Sequence, residues 1–125
     1  MEIARSSFDA WNAGDMDAWS EFLAPEVSWR VMPEWPEQGP FVGREAVLRH
    51  VRQLREGWDA DTAEPVSDFL DAGDRVVVRF AWRGRGHGPE LNMEMTCICT
   101  VRKDRIVAFE YVWDHSEALK AVGLG

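Results

Sequence analysis

Glu110 and Asp114 are the residues of this sequence whose types and spacing best suit chemistry. They are carboxylates four positions apart in an otherwise apolar segment. Since alternate residues of a β-strand share a face, both side chains are predicted on one face of a late strand. Burial raises the pKa of a carboxyl group unless a cation or hydrogen-bond donor compensates, so such groups are candidates for general acid or base catalysis. Both carboxylates are therefore candidates for such a role.

The register of the last predicted hairpin decides which side chains accompany these carboxylates. If residues 103–104 form a two-residue loop, antiparallel pairing places Val101 opposite Ile106 and Cys97 opposite Glu110. The face that results is apolar apart from its two carboxylates and contains Met93, Met95, Cys97, Cys99, Val101, Ile106, Ala108, Glu110, Val112 and Asp114. The opposite face is mixed in polarity and suits either solvent or a second subunit.

Both carboxylates also have structural interpretations. Glu110 can form an ion pair with an arginine such as Arg79, and the alternation of residues around Arg79 leaves either face open to it. Asp114 can cap a last helix, because Asp114-His115-Ser116-Glu117 has the form of a capping box. These alternatives remain open at the level of sequence.

Tryptophan is unusually abundant, with 7 Trp beside 6 Phe and 1 Tyr. Trp11 and Trp19 have the helical spacing of core residues, while Trp82 and Trp113 fall on strand positions where a dimer face and a pocket are equally compatible. The remaining indoles fall on elements that can line or cover a pocket. The predicted ligand-binding residues are Trp29, Trp35 and Trp58, together with Met93, Met95, Cys97 and Val112.

Metal and cysteine chemistry find little support in the sequence. His50, His87 and His115 have no metal-ligand spacing, so we predict no metal site. Cys97 and Cys99 lie on one predicted face without a second ligand pair or an identifiable base. Buried, they act as small apolar residues.

Length and charge bound the protein class. The chain has 125 residues and a formal net charge of −8, which predicts one domain over residues 1–125 and disfavours nucleic acid and anionic membrane surfaces as partners. The sequence contains no long apolar run and no signal-peptide pattern. With two closely spaced cysteines, these features predict a cytoplasmic protein.

The first half of the sequence has the periodicity of helices. A first helix is predicted from Glu2 to Ala13, and a second begins at the N-cap Asp15 and is closed by Pro25. A strand follows from Val27 to Met32, and residues 33–40 form an irregular loop that carries Trp35 as a lid or rim. After Gly43 a third helix turns Val47, Val51, Leu54 and Trp58 inward and Arg44, Arg49, Arg52, Arg55 and Glu56 toward water.

The second half has the alternation of strands. Four are predicted: Glu64 to Leu70, Arg75 to Arg83, Leu91 to Arg102, and Arg105 to Asp114. Turn residues between them imply sequential antiparallel hairpins, and Ser116 to Leu124 forms a short final helix. Helices followed by strands indicate an α+β fold.

The order and spacing of several segments resemble SnoaL-like proteins of the nuclear transport factor 2-like superfamily. These segments are Ala10 to Trp19, Trp29 to Val31, Phe41 to Val47, Asp71 to Val78, Gly84 to Pro89, Glu110 to Asp114, Glu117 to Leu119 and Ala121 to Leu124. The resemblance implies a cone-shaped, curved antiparallel sheet wrapped around a pocket and covered by N-terminal helices. It also implies a homodimer packed through the outer sheet faces.

Family members include polyketide cyclases, ketosteroid isomerases, epoxide hydrolases and dehydratases. In the cyclases an acidic residue on a late strand is the pocket acid/base, and Asp114 resembles it in position, whereas the pocket histidine would fall near Cys97. The resemblance thus implies a cofactor-independent isomerase, cyclase or hydrolase with a small apolar substrate, in which Asp114 is the acid/base group and Glu110 supports it. The alternative is a ligand-binding or dimerisation module without chemistry.

Overall fold

The computed structural model describes residues 1–35, 39–86 and 88–124. In these ranges four helices accompany a sheet of seven strands. The helices are α1 (Glu2–Asn12), α2 (Met16–Glu21), α3 (Arg44–Glu56) and α4 (His115–Ala121). The strands are β1 (Leu23–Arg30), β2 (Phe41–Val42), β3 (Ala60–Pro65), β4 (Leu70–Ala72), β5 (Arg75–Arg85), β6 (Leu91–Arg102) and β7 (Arg105–Val112).

The strands form a curved mixed sheet whose order is β2-β1-β7-β6-β5-β3, with β4 also paired to β5. All neighbours are antiparallel except β1 and β7, which run parallel. Helices α1, α2 and α3 cover the inner face, where the main core lies. The predicted α+β fold with helices over a curved sheet is confirmed. None of the described helices has the length and apolar character required to cross a membrane.

The N-terminal helices follow their sequence signals. Helix α1 buries Ala4, Ser7, Phe8 and Trp11 at the predicted three- and four-residue spacing. The carboxylate of Asp15 caps α2 by accepting a hydrogen bond from the Ala18 amide at 3.0 Å.

The sequence predicted that Pro25 closes the second helix, and this prediction is wrong. Helix α2 ends at Glu21, and Pro25 lies inside β1 instead. The β1–β7 register shifts between Leu23 and Ser28, so the missing N–H of the proline falls in an irregular part of the ladder.

Helix α3 buries Val47 and Val51 of its predicted inward stripe and also buries His50. Leu54 is only partly buried, and Trp58 lies beyond the end of the helix at Glu56.

Two arginines of α3, Arg44 and Arg55, were expected to face water but are engaged with other parts of the chain. Arg44 donates hydrogen bonds to the carbonyl oxygen of Leu23, the shorter at 2.6 Å. Arg55 is largely buried in an ion pair described below.

The predicted strand Glu64 to Leu70 is wrong. The chain forms β3 and β4 on either side of a bend, and both strands pair with β5. At the bend the amides of Val66 and Ser67 both donate to the carbonyl oxygen of Arg79, so the strand cannot continue in regular register.

The β6–β7 hairpin has the predicted loop but a different register. Positive φ values of 51° at Lys103 and 62° at Asp104 match a two-residue hairpin turn. Val101 pairs with Ile106 as predicted, but the register then shifts and Thr100 pairs with Ala108, leaving an extra residue on β7.

This bulge moves Glu110 to the opposite face of the sheet from the one predicted. Cys97 pairs with Tyr111, and Glu110 pairs with Ile98. Because side chains alternate along a strand, a shift of one residue exchanges the two faces of β7 beyond the bulge. Phe109 and Tyr111 therefore join Met95 and Cys97 on the inner face, whereas Glu110 and Val112 lie on the outer face.

Helix α4 covers part of that outer face. Ala118 packs with Val77 and Ile98, and Leu70, Val112, Leu119 and Val122 surround them. The homodimer predicted through the outer sheet face stays a prediction, and the area open to it excludes the part under α4.

Candidate functional site

An aromatic cavity lies between the inner face of the sheet and helices α1 to α3. Its free space is about 60 Å³, more than a single water molecule needs. The residues that line it are predominantly aromatic or aliphatic: Ser7, Phe8, Trp11, Trp19, Trp29, Val31, Met32, Trp35, His50, Leu54, Ala63, Phe80, Trp82, Met95, Phe109 and Tyr111.

Trp29, Trp35 and Met95 are the predicted ligand-binding residues that the structure places in the cavity wall. Trp29 comes from β1 and packs against Tyr111 of β7 with ring centroids 4.7 Å apart. Trp35 follows β1 and lies beside Trp82, at a centroid distance of 6.0 Å. Met95 projects from the centre of β6 and is 5% exposed.

The other four predicted ligand-binding residues lie outside the wall. Trp58 packs edge-on against Trp82 with ring centroids 6.3 Å apart. Met93 is partly buried near the start of β6, and Cys97 is fully buried in the inner core. Val112 belongs to the cluster under α4, on the other side of the sheet.

Asp114 lies at the surface and caps α4. Its Oδ1 accepts hydrogen bonds from the amide and the hydroxyl of Ser116, both at 2.8 Å, and from the Glu117 amide at 3.4 Å. The hydrogen bonds from Ser116 hold the pKa of Asp114 below its usual value of 3.8. The prediction that Asp114 shares the apolar face is wrong, and its alternative interpretation as a helix cap is confirmed.

Glu110 is also separated from the cavity, because it lies on the outer face in register with Ile98 of β6 and Arg30 of β1. The alternative ion pair with Arg79 is not formed. Arg79 instead contacts Glu94, with Nε and Oε1 3.1 Å apart. The bulge in β7 is the reason that Glu110 is separated from the cavity.

Asp61 of β3 is a buried carboxylate that sequence reasoning missed. Its Oδ2 accepts hydrogen bonds from the indole Nε1 atoms of Trp11 and Trp82, each at 3.0 Å. Its Oδ1 lies 2.8 Å from Nε of Arg55. The side chain of Asp61 is 3% exposed, and that of Arg55 is 15% exposed.

Arg55 ties this cluster together from α3. Its guanidinium donates to the backbone oxygens of Trp11 and Asp61 at 3.1 and 3.3 Å. The Arg55 Cζ also stands 4.3 Å from the centroid of the Trp11 ring, a cation–π distance. One signal for this burial was present in the sequence, because Arg55 follows Val47 and Val51 at helical spacing.

The Asp61 cluster positions two walls of the cavity. Trp11 and Trp82 line it, whereas Asp61 itself does not. A charged acceptor shared by two indoles fixes the ring orientations more firmly than packing alone. The N–H groups of both rings are bound to Asp61, which does not line the cavity. Trp11 and Trp82 therefore present their apolar ring surface to the cavity.

His50, Trp29 and Tyr111 contribute polar side-chain groups to the lining from the neighbouring elements α3, β1 and β7. His50 is stacked on Phe41 with ring centroids 4.0 Å apart and lies 6.0 Å from Trp29. The Tyr111 hydroxyl is hydrogen-bonded to the Cys97 thiol. These groups give this part of the lining a limited polar character.

Burial keeps the two cysteine thiols and the Tyr111 phenol neutral at pH 7. Desolvation raises the pKa of Cys97 and of Tyr111 well above their ordinary values, and raises that of Cys99 to about 12. A nucleophilic thiolate at neutral pH is therefore disfavoured at Cys97 and Cys99. Within residues 1–35, 39–86 and 88–124, no cluster of three or more His, Cys, Asp or Glu side chains is arranged to hold a metal ion.

The comparisons with known proteins concern the family and the fold. Residues 4–109 match the family model of the SnoaL-like domain. No protein with a curated description matches the chain.

Solved structures include close matches to the fold. A nuclear transport factor 2-like protein of unknown function from Burkholderia pseudomallei superimposes with a TM-score of 0.79 at 22% identity, covering 98% of this chain and 96% of the other. A second such protein, from Burkholderia thailandensis, gives 0.79 at 26% identity, covering 96% and 94%.

A Sinorhizobium meliloti protein, whose own assignment as a polyketide cyclase is provisional, gives a TM-score of 0.74 at 28% identity, covering 90% of this chain and 94% of the other. The family match spans most of the sequence, and these structures share its α+β architecture. The chain therefore belongs to the SnoaL-like family and has the nuclear transport factor 2-like fold.

Proposed function

We propose that this protein binds a small, flat, predominantly apolar ligand in the aromatic cavity. The observation that carries the proposal is the composition of the wall, in which indole and phenyl rings predominate. Concave apolar sites with few polar groups are the usual form of small-molecule pockets. The family's relation to polyketide cyclases supports an aromatic ring system as the ligand class.

A ligand-binding function has better support than an enzyme that uses Asp114 and Glu110, because neither carboxylate contacts the cavity. A general acid or base must reach the reacting atom within hydrogen-bond distance, directly or through a water molecule. Asp114 is engaged with the first turn of α4, and Glu110 is on the other face of the sheet. An isomerase, cyclase or hydrolase using these two residues therefore has weaker support than a ligand-binding protein.

The size of the cavity limits how a ligand enters. Its free space of about 60 Å³ is smaller than the ~150 Å³ of an engineered apolar cavity that accepts benzene. A ring-sized ligand therefore needs a wall side chain to move outward. Trp35 is the wall indole best suited to move, since it is only partly buried and lies between Trp82 and the exposed Trp113.

Isothermal titration calorimetry with indane and 1-indanone tests this proposal. We expect saturable binding of at least one of the two bicyclic compounds. Ala63→Leu places a larger side chain in the wall and is expected to abolish that binding. Ala60→Leu is the matched control, because Ala60 is exposed on the same strand β3. Absence of binding to the unmodified protein, or equal binding by the two variants, contradicts the proposal.

A further inference from the structure

The indole N–H of Trp29 differs from those of the neighbouring wall indoles. Trp11 and Trp82 both donate to Asp61 at 3.0 Å. The Nε1 atom of Trp29 is buried, and no hydrogen-bond acceptor for it is found among the described residues. The residue as a whole is 5% exposed and its Nε1 atom is buried, so bulk water does not serve as its partner.

A buried donor without an acceptor is uncommon in folded proteins and lowers stability. Such a cost is retained in a binding pocket when a ligand supplies the missing acceptor, because binding then removes the penalty. Trp29 is a wall residue of the cavity and adjoins both His50 and Tyr111. The Trp29 ring therefore lies beside two other polar side chains of the lining.

The part of the lining formed by Trp11 and Trp82 has a different character. Asp61 binds the N–H groups of Trp11 and Trp82 from outside the lining, which leaves their rings as apolar walls. The two parts of the lining together favour a ligand that is apolar at one end and carries a hydrogen-bond acceptor at the other. A planar molecule with a single carbonyl group has this pattern.

We propose that the indole N–H of Trp29 recognises a carbonyl oxygen, so that the preferred ligands are small aromatic ketones rather than hydrocarbons of the same shape. This inference rests on the proposed function, since it assumes that the cavity binds a flat ligand. It adds a specific donor and a chemical class. A wholly apolar cavity is expected to prefer the hydrocarbon, because a carbonyl group loses its hydration on burial.

The test compares indane with 1-indanone, which differ by one carbonyl group, in calorimetric titrations of the full chain. We expect the unmodified protein to bind 1-indanone about tenfold more tightly, equivalent to about 1.4 kcal/mol. Trp29→Phe removes the N–H and is expected to abolish or reverse that preference. Trp19→Phe removes another buried wall indole; as the matched control, it is expected to weaken both compounds and preserve their ratio.

Nuclear magnetic resonance of the unmodified protein gives a second readout that does not depend on a variant folding. We expect the indole proton of Trp29 to shift downfield with 1-indanone and to lack that shift with indane. Equal affinities for the two compounds, an unchanged ratio in Trp29→Phe, or the same proton shift with both compounds overturns the inference and leaves the proposed function standing. Failure of both compounds to bind contradicts the proposed function, and the inference with it.

Discussion

Arg55 and Asp61 form a buried ion pair, with Nε and Oδ1 2.8 Å apart, directly behind two walls of the cavity. The pair joins the end of α3 to β3, and Asp61 also accepts the indole N–H groups of Trp11 and Trp82. Ion pairing therefore connects the stability of the fold to the shape of the cavity.

Asp61→Asn is expected to lower the free energy of unfolding by about 3 to 5 kcal/mol, the range for breaking a buried ion pair by removing one charge. The substitution keeps the size of the side chain but leaves the Arg55 guanidinium without its counter-ion. Urea denaturation measures the change. Glu64→Gln is the control on the same strand, because Glu64 and Arg83 form an exposed pair that is expected to contribute less than about 1 kcal/mol. Similar losses in the two variants contradict the structural role of Asp61.

Asp114→Ala is expected to lower the thermal midpoint at pH 7 without changing ligand affinity. The folded-state pKa of Asp114 lies below 3.8 because its carboxylate accepts hydrogen bonds from Ser116 and Glu117. A depressed pKa adds stability above the unfolded value, and that stability is lost as the pH falls through the folded value. The difference between variant and parent should therefore be full at neutral pH and shrink below pH 3.8. Thermal melts across this range measure it, and a loss of ligand binding in the variant restores Asp114 as a site residue.

Cys97 and Cys99 are expected to resist alkylation by iodoacetamide in the native protein at pH 8 and to react after unfolding. Burial raises the pKa of both thiols, to about 12 for Cys99. The contribution of the neutral thiols to the free energy of unfolding is full below the ordinary thiol pKa of 9.0. It is lost as the pH rises through the raised pKa values of the folded state. Stability should therefore fall between pH 9 and 12. Mass spectrometry of the alkylated protein and urea melts check both statements; rapid native labelling at pH 8 contradicts them.

Gly84→Ala is expected to destabilise the protein by about 1 to 3 kcal/mol, as overpacking of a filled site does. A Cβ at Gly84 would meet Cδ2 of Trp58 at 2.8 Å and Cε3 at 2.9 Å. Gly88→Ala is the control, because no atom lies within 4 Å of the equivalent Cβ. Chemical denaturation of both variants measures the difference. Equal stability indicates that the Trp58 ring moves aside without cost.

Local sequence patterns predicted much of the fold. The helical spacing in α1 and α3 and the N-cap Asp15 depend on residues close together in the chain, so they can be read without knowledge of the rest. The two-residue turn at Lys103 and Asp104 is local in the same way. The resemblance to SnoaL-like proteins, carried by the order of many short segments, predicted the architecture that the structure has.

The candidate site was predicted less well, because it depends on pairing between distant residues. One extra residue in β7 exchanged the faces beyond it, which moved Glu110 and Val112 to the outside and brought Tyr111 to the cavity. The prediction assumed a regular ladder beyond the two-residue turn, and the extra residue between Ile106 and Ala108 breaks that regularity.

The sequence by itself determined the helices, the hairpin turn, the SnoaL-like family and the abundance of indole rings. Only the tertiary structure decided which polar edges of those rings are engaged. Asp61 lies 50 positions from Trp11 and 21 from Trp82, and the three meet because α1 packs on β3 while β3 pairs with β5. The Trp29 N–H acquires its distinct role from that same folding, since burial removes water from it and the surrounding chain supplies no acceptor among the described residues.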